Sequence, residues 1–280
     1  MPVRYYDWIA HHRRRTPDKT ALVDLASGRR FGYAELHDRV SRLAAHLRDG
    51  LKVARGDRVA VLALNTTDTL EVQFACFRIG AVFLPLNTRL TIPELRYITG
   101  DASPKVMIHD DDLAETALAV AKLCDVAATV RLGPGGAYEA GIAAAKPLER
   151  FEEVTLDDIS TIMYTSGTTG FPKGVTLTHR NVLNNGFHIG ELLGYTEEDT
   201  VVIPVPFFHC FGMVIGVIAT VSHGSLAVIP ARSFEPVSAL RAVAATGATS
   251  LYGVPAMFIA MLARPEADEL DLTTLRTGVM

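Results

Sequence analysis

The segment richest in chemically useful side chains is Tyr164–Lys173, which reads Tyr-Thr-Ser-Gly-Thr-Thr-Gly-Phe-Pro-Lys. Glycines let backbone N–H groups approach an anion closely, and hydroxyl side chains donate further hydrogen bonds to phosphate oxygens. A lysine at the end of the segment supplies positive charge. The pattern predicts a phosphate-binding loop with these candidate residues: Thr165, Ser166, Gly167, Thr168, Thr169, Gly170, Phe171, Pro172 and Lys173.

The elements around this loop would place it at the end of a strand. Residues 158–164 are typical of a buried strand, and residues 178–193 are typical of a helix. The segment is not a Walker loop, because Pro172 stands where that motif requires glycine before the lysine. A flexible Gly/Ser/Thr linker is the alternative. It is disfavoured because linkers rarely run from an apolar strand towards a helix.

The same residues resemble the signature of the adenylate-forming (AMP-binding) superfamily, and of its acyl-CoA synthetases in particular. The resemblance implies that residues 165–173 wrap the β and γ phosphates of ATP while a carboxylate attacks the α phosphorus. It implies catalytic roles for Lys173 and Thr165. It also implies an α/β fold, the large N-terminal domain of such an enzyme, with two related, mostly parallel sheets and helices between and around them. Residues 1–280 would be an incomplete N-terminal AMP-binding domain, with approximate halves 1–150 and 151–280 and the C-terminal domain absent.

A second candidate site is the segment Pro206-Phe-Phe-His-Cys-Phe-Gly212. It places His209 among aromatic residues after a strand, where open α/β sheets collect ligand groups, although an ordinary core histidine is the alternative. In acyl-CoA synthetases a similar Phe-His-x-x-Gly lies at the mouth of the acyl pocket, which implies that His209 and Phe208 bind the acid. Cys210 is not expected to pair with His209, because neighbouring residues of an extended strand point to opposite faces.

Amino-acid adenylation domains are similar here but carry an aspartate where His209 stands. The lack of a carboxylate favours an uncharged acyl group. Residues 251–258 resemble another wall of the acyl pocket, in which Gly253 would allow close approach of the backbone; plain core packing stays open as an alternative.

Strand and helix patterns alternate along the chain, which predicts βαβ units and largely parallel sheets. One series runs from residue 58 to residue 132 and a similar series from residue 201 to residue 252. Two related α/β halves are therefore a hypothesis. Residues 133–148 are interpreted as a surface connection.

Composition sets further limits. The chain has 280 residues, 49% hydrophobic content, a formal charge of −4 and three cysteines. This is a globular composition without the basic surface expected of a nucleic-acid-binding protein. The cysteines are far apart, and the first residues lack an apolar signal region, so a reducing cytoplasm is expected. Residues 200–231 carry no Asp, Glu, Lys or Arg, but prolines and polar residues divide them, which favours burial over a transmembrane segment.

The predicted function is ATP-dependent adenylation of a medium- or long-chain carboxylic acid, followed by transfer to coenzyme A. An aryl or short-chain acid, an ATP-binding module without complete ligase activity, and a membrane-associated protein are the alternatives. Mg²⁺ is implied by ATP, with its ligand outside this chain and no metal site within it. The 280-residue chain alone is expected to be inactive in the full reaction. A homodimer and peripheral contact with a membrane stay open.

Overall fold

Two six-stranded sheets organise the chain, each with its own set of helices. The computed structural model describes residues 6–148, 151, 153–165 and 171–280. The chain divides into two compact units: the first contains residues 6–7, 38–64 and 68–182, and the second contains residues 8–37, 65–67 and 183–280.

The α-helices and strands are numbered in chain order. The helices are α1 (Trp8–Arg15), α2 (Tyr33–Ala45), α3 (Thr67–Ile79), α4 (Ile92–Ala102), α5 (Ala114–Leu123), α6 (Ala137–Ala144), α7 (His179–Leu193), α8 (Ala219–Ser222), α9 (Pro236–Thr246), α10 (Pro255–Leu262) and α11 (Glu266–Glu269), with π-helices at His46–Gly50 and Phe211–Ile218. The strands are β1 (Thr20–Asp24), β2 (Arg30–Gly32), β3 (Arg58–Leu62), β4 (Val82–Pro85), β5 (Val106–His109), β6 (Ala128–Arg131), β7 (Ile159–Thr165), β8 (Lys173–Thr178), β9 (Thr200–Val202), β10 (Leu226–Ile229), β11 (Ser250–Tyr252) and β12 (Thr277–Val279).

The sheet of the first unit has the strand order β6-β5-β3-β4-β7-β8. All neighbours pair in parallel except β8, which runs antiparallel to β7. Its inner strands β4 and β5 are short, entirely buried and apolar apart from His109, as expected when helices cover both faces of a parallel sheet. The predicted α/β class is confirmed.

The sheet of the second unit has the order β12-β11-β9-β10-β1-β2. It is again parallel except for its last strand, since β2 runs antiparallel to β1. Position by position, the two sheets have the same order of parallel strands and the same antiparallel edge. This topology agrees with the predicted relation between two α/β parts of the chain.

The boundary between the two parts of the sequence does not lie at residue 150, where the sequence suggested it. Strands β7 and β8 follow residue 150 yet belong to the first sheet, and β1 and β2 precede it yet belong to the second. The predicted halves 1–150 and 151–280 therefore do not coincide with the sheets. The physical reason is that each sheet needs a hairpin at one edge, and the hairpin comes last in the chain for the first sheet and first for the second.

Part of the segment interpreted as a surface connection, residues 133–148, is helical instead. Helix α6 covers Ala137–Ala144 and anchors itself through Tyr138, which is fully buried and donates a hydrogen bond to Glu71 at 2.6 Å. Arg39 binds Glu71 through two further contacts of 2.7 and 3.0 Å. Burial raises the pKa of Glu71, and Arg39 opposes that effect. A buried carboxylate is tolerable here because its charge is paired.

The stretch 200–231, which lacks charged residues, folds into short elements. It contributes β9, the second π-helix, α8 and β10, and most of their side chains are buried. In the part of the chain that the structure describes, no helix combines the length and the apolar character needed to cross a bilayer.

Candidate functional site

The predicted phosphate-binding segment connects two antiparallel strands, and the sequence-based expectation of a strand, a loop and then a helix was incomplete. Lys173 begins β8 and is the register partner of Thr165, the last residue of β7. Helix α7 starts only at His179, after β8. Residues 173–178 include the β-branched residues Val175, Thr176 and Thr178, which are common in strands. The helix prediction at residue 178 is explained by Thr178, whose hydroxyl accepts a hydrogen bond from the Asn181 backbone N–H at 3.2 Å, as an N-cap does.

Thr165 and Lys173 face each other across the ends of the hairpin, and both are exposed. Among the described residues, the Lys173 ammonium group makes no hydrogen bond or ion pair, so its donors are available to an anion. A hydroxyl and an ammonium group on adjacent strand ends can bind phosphate oxygens together. The intervening candidates Ser166, Gly167, Thr168, Thr169 and Gly170 lie outside the described residues.

Helix α4 holds both ends of this hairpin. The Tyr164 hydroxyl donates to the Asp101 carboxylate, and the Phe171 ring lies 5.4 Å from that of Tyr97 between centroids. Burial, followed by the nearby Asp101 carboxylate, raises the pKa of Tyr164, so the phenol stays protonated and acts as a donor. Gly174 lies opposite Tyr164; a Cβ there would approach the Tyr164 ring to 3.1 Å. The glycine therefore lets the ring lie close to the backbone of the facing strand.

The second candidate site lies in a turn after β9. The backbone N–H of His209 donates to Pro206 O at 3.2 Å, and the N–H groups of Gly212 and Met213 both donate to His209 O at 3.0 Å. A Cβ on Gly212 would lie 2.4 Å from Pro206 O, so only glycine fits where the turn enters the helix. Phe207 is 1% exposed, whereas His209 is exposed. The turn thus buries Phe207 at its start and leaves the His209 side chain exposed.

The orientation of the His209 ring is fixed by the backbone that follows it. Its Nδ1 accepts a hydrogen bond from the Phe211 N–H at 3.1 Å, so the neutral ring carries its proton on Nε2. Nε2 is then the donor that can meet a substrate oxygen.

The expectation that Cys210 would point away from His209 was wrong. The Cys210 sulfur lies 3.7 Å from His209 Nδ1, because these residues form a turn rather than an extended strand. The contact raises the pKa of His209 and lowers that of the thiol.

The helix that follows is a π-helix, and hydroxyl groups of residues outside it donate hydrogen bonds to two of its carbonyl oxygens. The Tyr252 hydroxyl donates to Ile215 O at 3.1 Å, and the Thr220 hydroxyl donates to Gly216 O at 2.7 Å. Short π-helical segments occur often at functional sites. Phe211 and Ile215 are the two residues of this helix that are only partly buried, and their spacing places them on its open side.

The structure brings the two predicted acid-binding segments together. The rings of Phe211 and Tyr252 lie 5.7 Å apart between centroids, so the turn bearing Phe208 and His209 is close to the end of β11. Gly253 directly follows β11 and donates its N–H to Val279 O at 3.0 Å. A Cβ on Gly253 would lie 3.0 Å from the Phe258 ring, which accounts for the glycine by packing.

Sequence reasoning missed Asn65. This residue lies between β3 and α3 in the chain and is 3% exposed. Its Nδ2 donates to Val205 O at 2.9 Å, and its Oδ1 accepts from the Phe207 N–H at 2.8 Å. The available signal was an asparagine directly after the apolar run that ends at Leu64, where a buried amide needs partners.

A metal site is not apparent in the described ranges, where no group of three or more His, Cys, Asp and Glu side chains is placed to bind an ion. The Asp110 carboxylate, in the acidic run after β5, already binds backbone N–H groups. Its carboxylate accepts hydrogen bonds from the N–H groups of Leu64 and Leu113 at 2.8 and 3.0 Å.

Comparison with solved structures gives the same fold. The ATP-bound crystal structure of MatB from Rhodopseudomonas palustris superimposes with a TM-score of 0.86 at 29% sequence identity, covering 99% of this chain and 54% of MatB. The class defined by the two sheets and the Ser/Thr/Gly hairpin is therefore that of the N-terminal domains of adenylate-forming enzymes.

Sequence comparison establishes the family. The model of the AMP-binding enzyme family matches residues 9–280, and this chain belongs to that family. A feruloyl-CoA synthase from Amycolatopsis sp. is 37% identical over 272 residues, covering 96% of this chain and 52% of the relative. The acyl-CoA ligase SID4 of Ajellomyces capsulatus is 34% identical over 288 residues, covering 95% and 49%. The chain thus spans about half the length of the curated relatives it matches.

Proposed function

We propose that this chain contributes the ATP-binding and acid-binding parts of an acyl-CoA synthetase. The reaction would begin with a carboxylate attacking the α phosphorus of ATP, giving an acyl-adenylate and pyrophosphate. The thiol of coenzyme A would then displace AMP and form the thioester. The observation that carries the proposal is the exposed pair Thr165 and Lys173 at the ends of a Ser/Thr/Gly hairpin, in a family whose similar members are named as acyl-CoA ligases.

Electrostatic stabilisation would supply most of the catalysis by these residues. Positive charge and preorganised donors lower the barrier where negative charge develops on the departing pyrophosphate. We assign that role to Lys173 and Thr165, supported by the remaining hairpin residues: Ser166, Gly167, Thr168, Thr169, Gly170, Phe171 and Pro172. Mg²⁺ would accompany ATP, and none of the described residues is assigned as its ligand.

The acid would bind in the second unit. His209 would direct its Nε2 proton to the carboxylate, and Phe208 and Gly253 would border the acyl group. The apolar lining contributed by Phe211 and Ile215 favours a medium- or long-chain acid over a charged one. Named relatives act on different acyl groups, among them a feruloyl-CoA synthase, so an aryl acid is the alternative.

The proposal extends to the protein's setting. We propose a cytoplasmic enzyme of lipid metabolism in which residues 1–280 form the N-terminal part of the AMP-binding domain, with further catalytic residues and a C-terminal domain outside them. A polypeptide restricted to residues 1–280 would then bind nucleotide without completing the reaction. Peripheral membrane contact and a homodimer are compatible with this assignment.

The test is pyrophosphate release by the protein in its natural full length, with ATP, Mg²⁺ and acids from acetate to palmitate plus benzoate and ferulate. We expect release with aliphatic acids of medium or greater length. Release with aryl acids alone would overturn the chain-length proposal. ATP binding without pyrophosphate release with any acid would reduce the function to that of a nucleotide-binding module.

Lys173→Ala examines the phosphate role directly. We expect the adenylation rate to fall about 100- to 1000-fold, as when one donor to a developing anion is removed, while the affinity for the acid changes less than about twofold. Lys122→Ala is the matched control, because Lys122 is an exposed lysine on α5 of the same unit. Equal losses of adenylation and acid binding in Lys173→Ala would refute the assignment.

A further inference from the structure

The turn that presents His209 is held at its base by a residue distant in sequence. Asn65 lies 140 and 142 residues before its partners Val205 and Phe207. Its side-chain amide binds the backbone of both residues: Nδ2 donates to the Val205 carbonyl group, and Oδ1 accepts from the Phe207 N–H. An amide can make this double contact because it carries a donor and an acceptor on one planar group.

Asn65 is itself fixed by its backbone. Its N–H donates to Arg232 O at 2.9 Å, in the segment after β10. Strands β9 and β10 are parallel neighbours, so Asn65 joins the segments that leave their carboxyl ends. Ligands bind at these ends in open α/β sheets.

The contacts divide the turn into a rigid base and an exposed tip. Val205 and Phe207 are each 1% exposed and Asn65 is 3% exposed, whereas His209 is exposed. Only Phe208 separates Phe207 from His209, and the Phe211 N–H that orients the imidazole lies two residues after His209. A shift of the base is therefore transmitted to the ring and to its Nδ1 hydrogen bond.

We propose that Asn65 is a positioning residue that sets the orientation and tautomer of His209 by holding the backbone at Val205 and Phe207. Asn65 does not touch substrate; it acts through the turn. The expected effect of Asn65 on the rate of adenylation rests on the proposed role of His209 in binding the acid. The expected effect on the tautomer of His209 does not depend on that role. The predicted consequence is specific: Nε2 stays protonated in the neutral ring only while the amide holds the turn.

The first measurement is NMR of the full-length protein labelled with ¹⁵N-histidine, with the His209 signals assigned by means of a His209→Gln variant. Wild-type His209 is expected to be the Nε2–H tautomer at a pH where the ring is neutral. In Asn65→Ala the populations should move towards a mixture of both tautomers. The control is Tyr138→Phe, which also removes a buried hydrogen bond but lies in the first unit, and it should leave the His209 tautomer unchanged.

Kinetics supply the second measurement. In Asn65→Ala we expect kcat/KM for the acid to fall about 10- to 100-fold, the range seen when a site is displaced by about 1 Å, with KM for ATP changed less than about twofold. Asn65→Asp provides a conservative variant, since a protonated carboxyl group reproduces both amide contacts. Its kcat/KM relative to wild type should recover as the pH is lowered.

The outcomes separate this inference from the proposed function. Two outcomes would refute the positioning role. One is an Asn65→Ala variant that adenylates the acid and keeps the wild-type His209 tautomer. The other is a loss of kcat/KM for the acid in Tyr138→Phe as large as that in Asn65→Ala. A shifted tautomer in a protein that adenylates no acid would support the positioning role and refute the proposed function.

Discussion

The buried His179 makes the protein sensitive to mild acid in a way that can be calculated. This residue begins α7, is fully buried, and lies edge-on to Phe77 with ring centroids 4.8 Å apart. Burial lowers its pKa from 6.5 to about 4, against a smaller opposing effect of Asp158. The positive end of the α7 dipole also disfavours a cation at this position.

The sign of the effect follows from the two protonation states. Above pH 6.5 His179 is neutral in both folded and unfolded chains, and its contribution to stability is fully present. As the pH falls from 6.5 towards 4, the unfolded chain binds a proton that the folded chain does not, so stability is lost. Between pH 7.5 and pH 5.0, one such group removes about 2 kcal/mol from the free energy of unfolding.

Urea denaturation followed by circular dichroism at pH 7.5 and 5.0 tests this value. His179→Phe should lose about 2 kcal/mol less than wild type between these pH values, whatever its stability at pH 7.5, and His179→Gln serves if the phenylalanine variant folds poorly. The subtraction cancels other groups that titrate in this range, including His12, whose pKa burial also lowers to about 4. His188→Gln, at an exposed site on the same helix, should behave as wild type. An identical pH dependence in wild type and His179→Phe would refute the reasoning.

Two further substitutions test buried polar groups. Gln73 is fully buried, and neither polar atom of its side chain has a hydrogen-bond partner among the described residues. Gln73→Met should therefore raise the free energy of unfolding, measured by urea denaturation, by about 1–3 kcal/mol. A decrease in the free energy of unfolding would show that the amide is paired. Tyr252→Phe removes the donor to Ile215 O, so stability should fall by about 1–3 kcal/mol and amide exchange should accelerate in residues 211–218. Equal exchange in Tyr252→Phe and in Tyr97→Phe, a change at an exposed tyrosine, would contradict the support of the π-helix by Tyr252.

Helices with strong local signals could be predicted from the sequence. The alternating series of strands and helices expected at residues 58–132 and 201–252 contain α3 (Thr67–Ile79) and α9 (Pro236–Thr246), respectively. For α9 and α10, the proline at the first helical position marks the start without costing a backbone hydrogen bond. Short-range chemistry decides these boundaries, so the sequence suffices.

Elements stabilised by distant partners could not be predicted in the same way. Strand β8 lies at the edge of its sheet with Lys173–Val175 exposed, so it has no buried face to give a hydrophobic alternation. Helix α6 is rich in alanine and glycine, and its anchor Tyr138 depends on Glu71, 67 residues away. Neither signal is visible in a local window of sequence.

The candidate site shows the same division. Phosphate binding by residues 165–173 is a prediction from their hydroxyl, glycine and lysine pattern, whereas the placement of Lys173 opposite Thr165 depends on the pairing of two strands. The contact between His209 and Cys210 depends on turn geometry, and the role of Asn65 depends on hydrogen bonds that span about 140 residues. Composition identifies such chemistry, whereas tertiary structure determines its geometry.

The position of the β1–β2 hairpin at the start of the second sheet affects the order of events during synthesis. Leu22 of β1 pairs with Ala227 of β10, so β1 must wait for about 200 further residues, which take about 10–40 s to translate. A two-stranded hairpin is at best marginally stable alone. The first sheet has no such delay, since its strands lie between Arg58 and Thr178. It can therefore form on the ribosome while β1 still exposes an unpaired, apolar strand edge, a surface that is prone to aggregation and of the kind that chaperones protect.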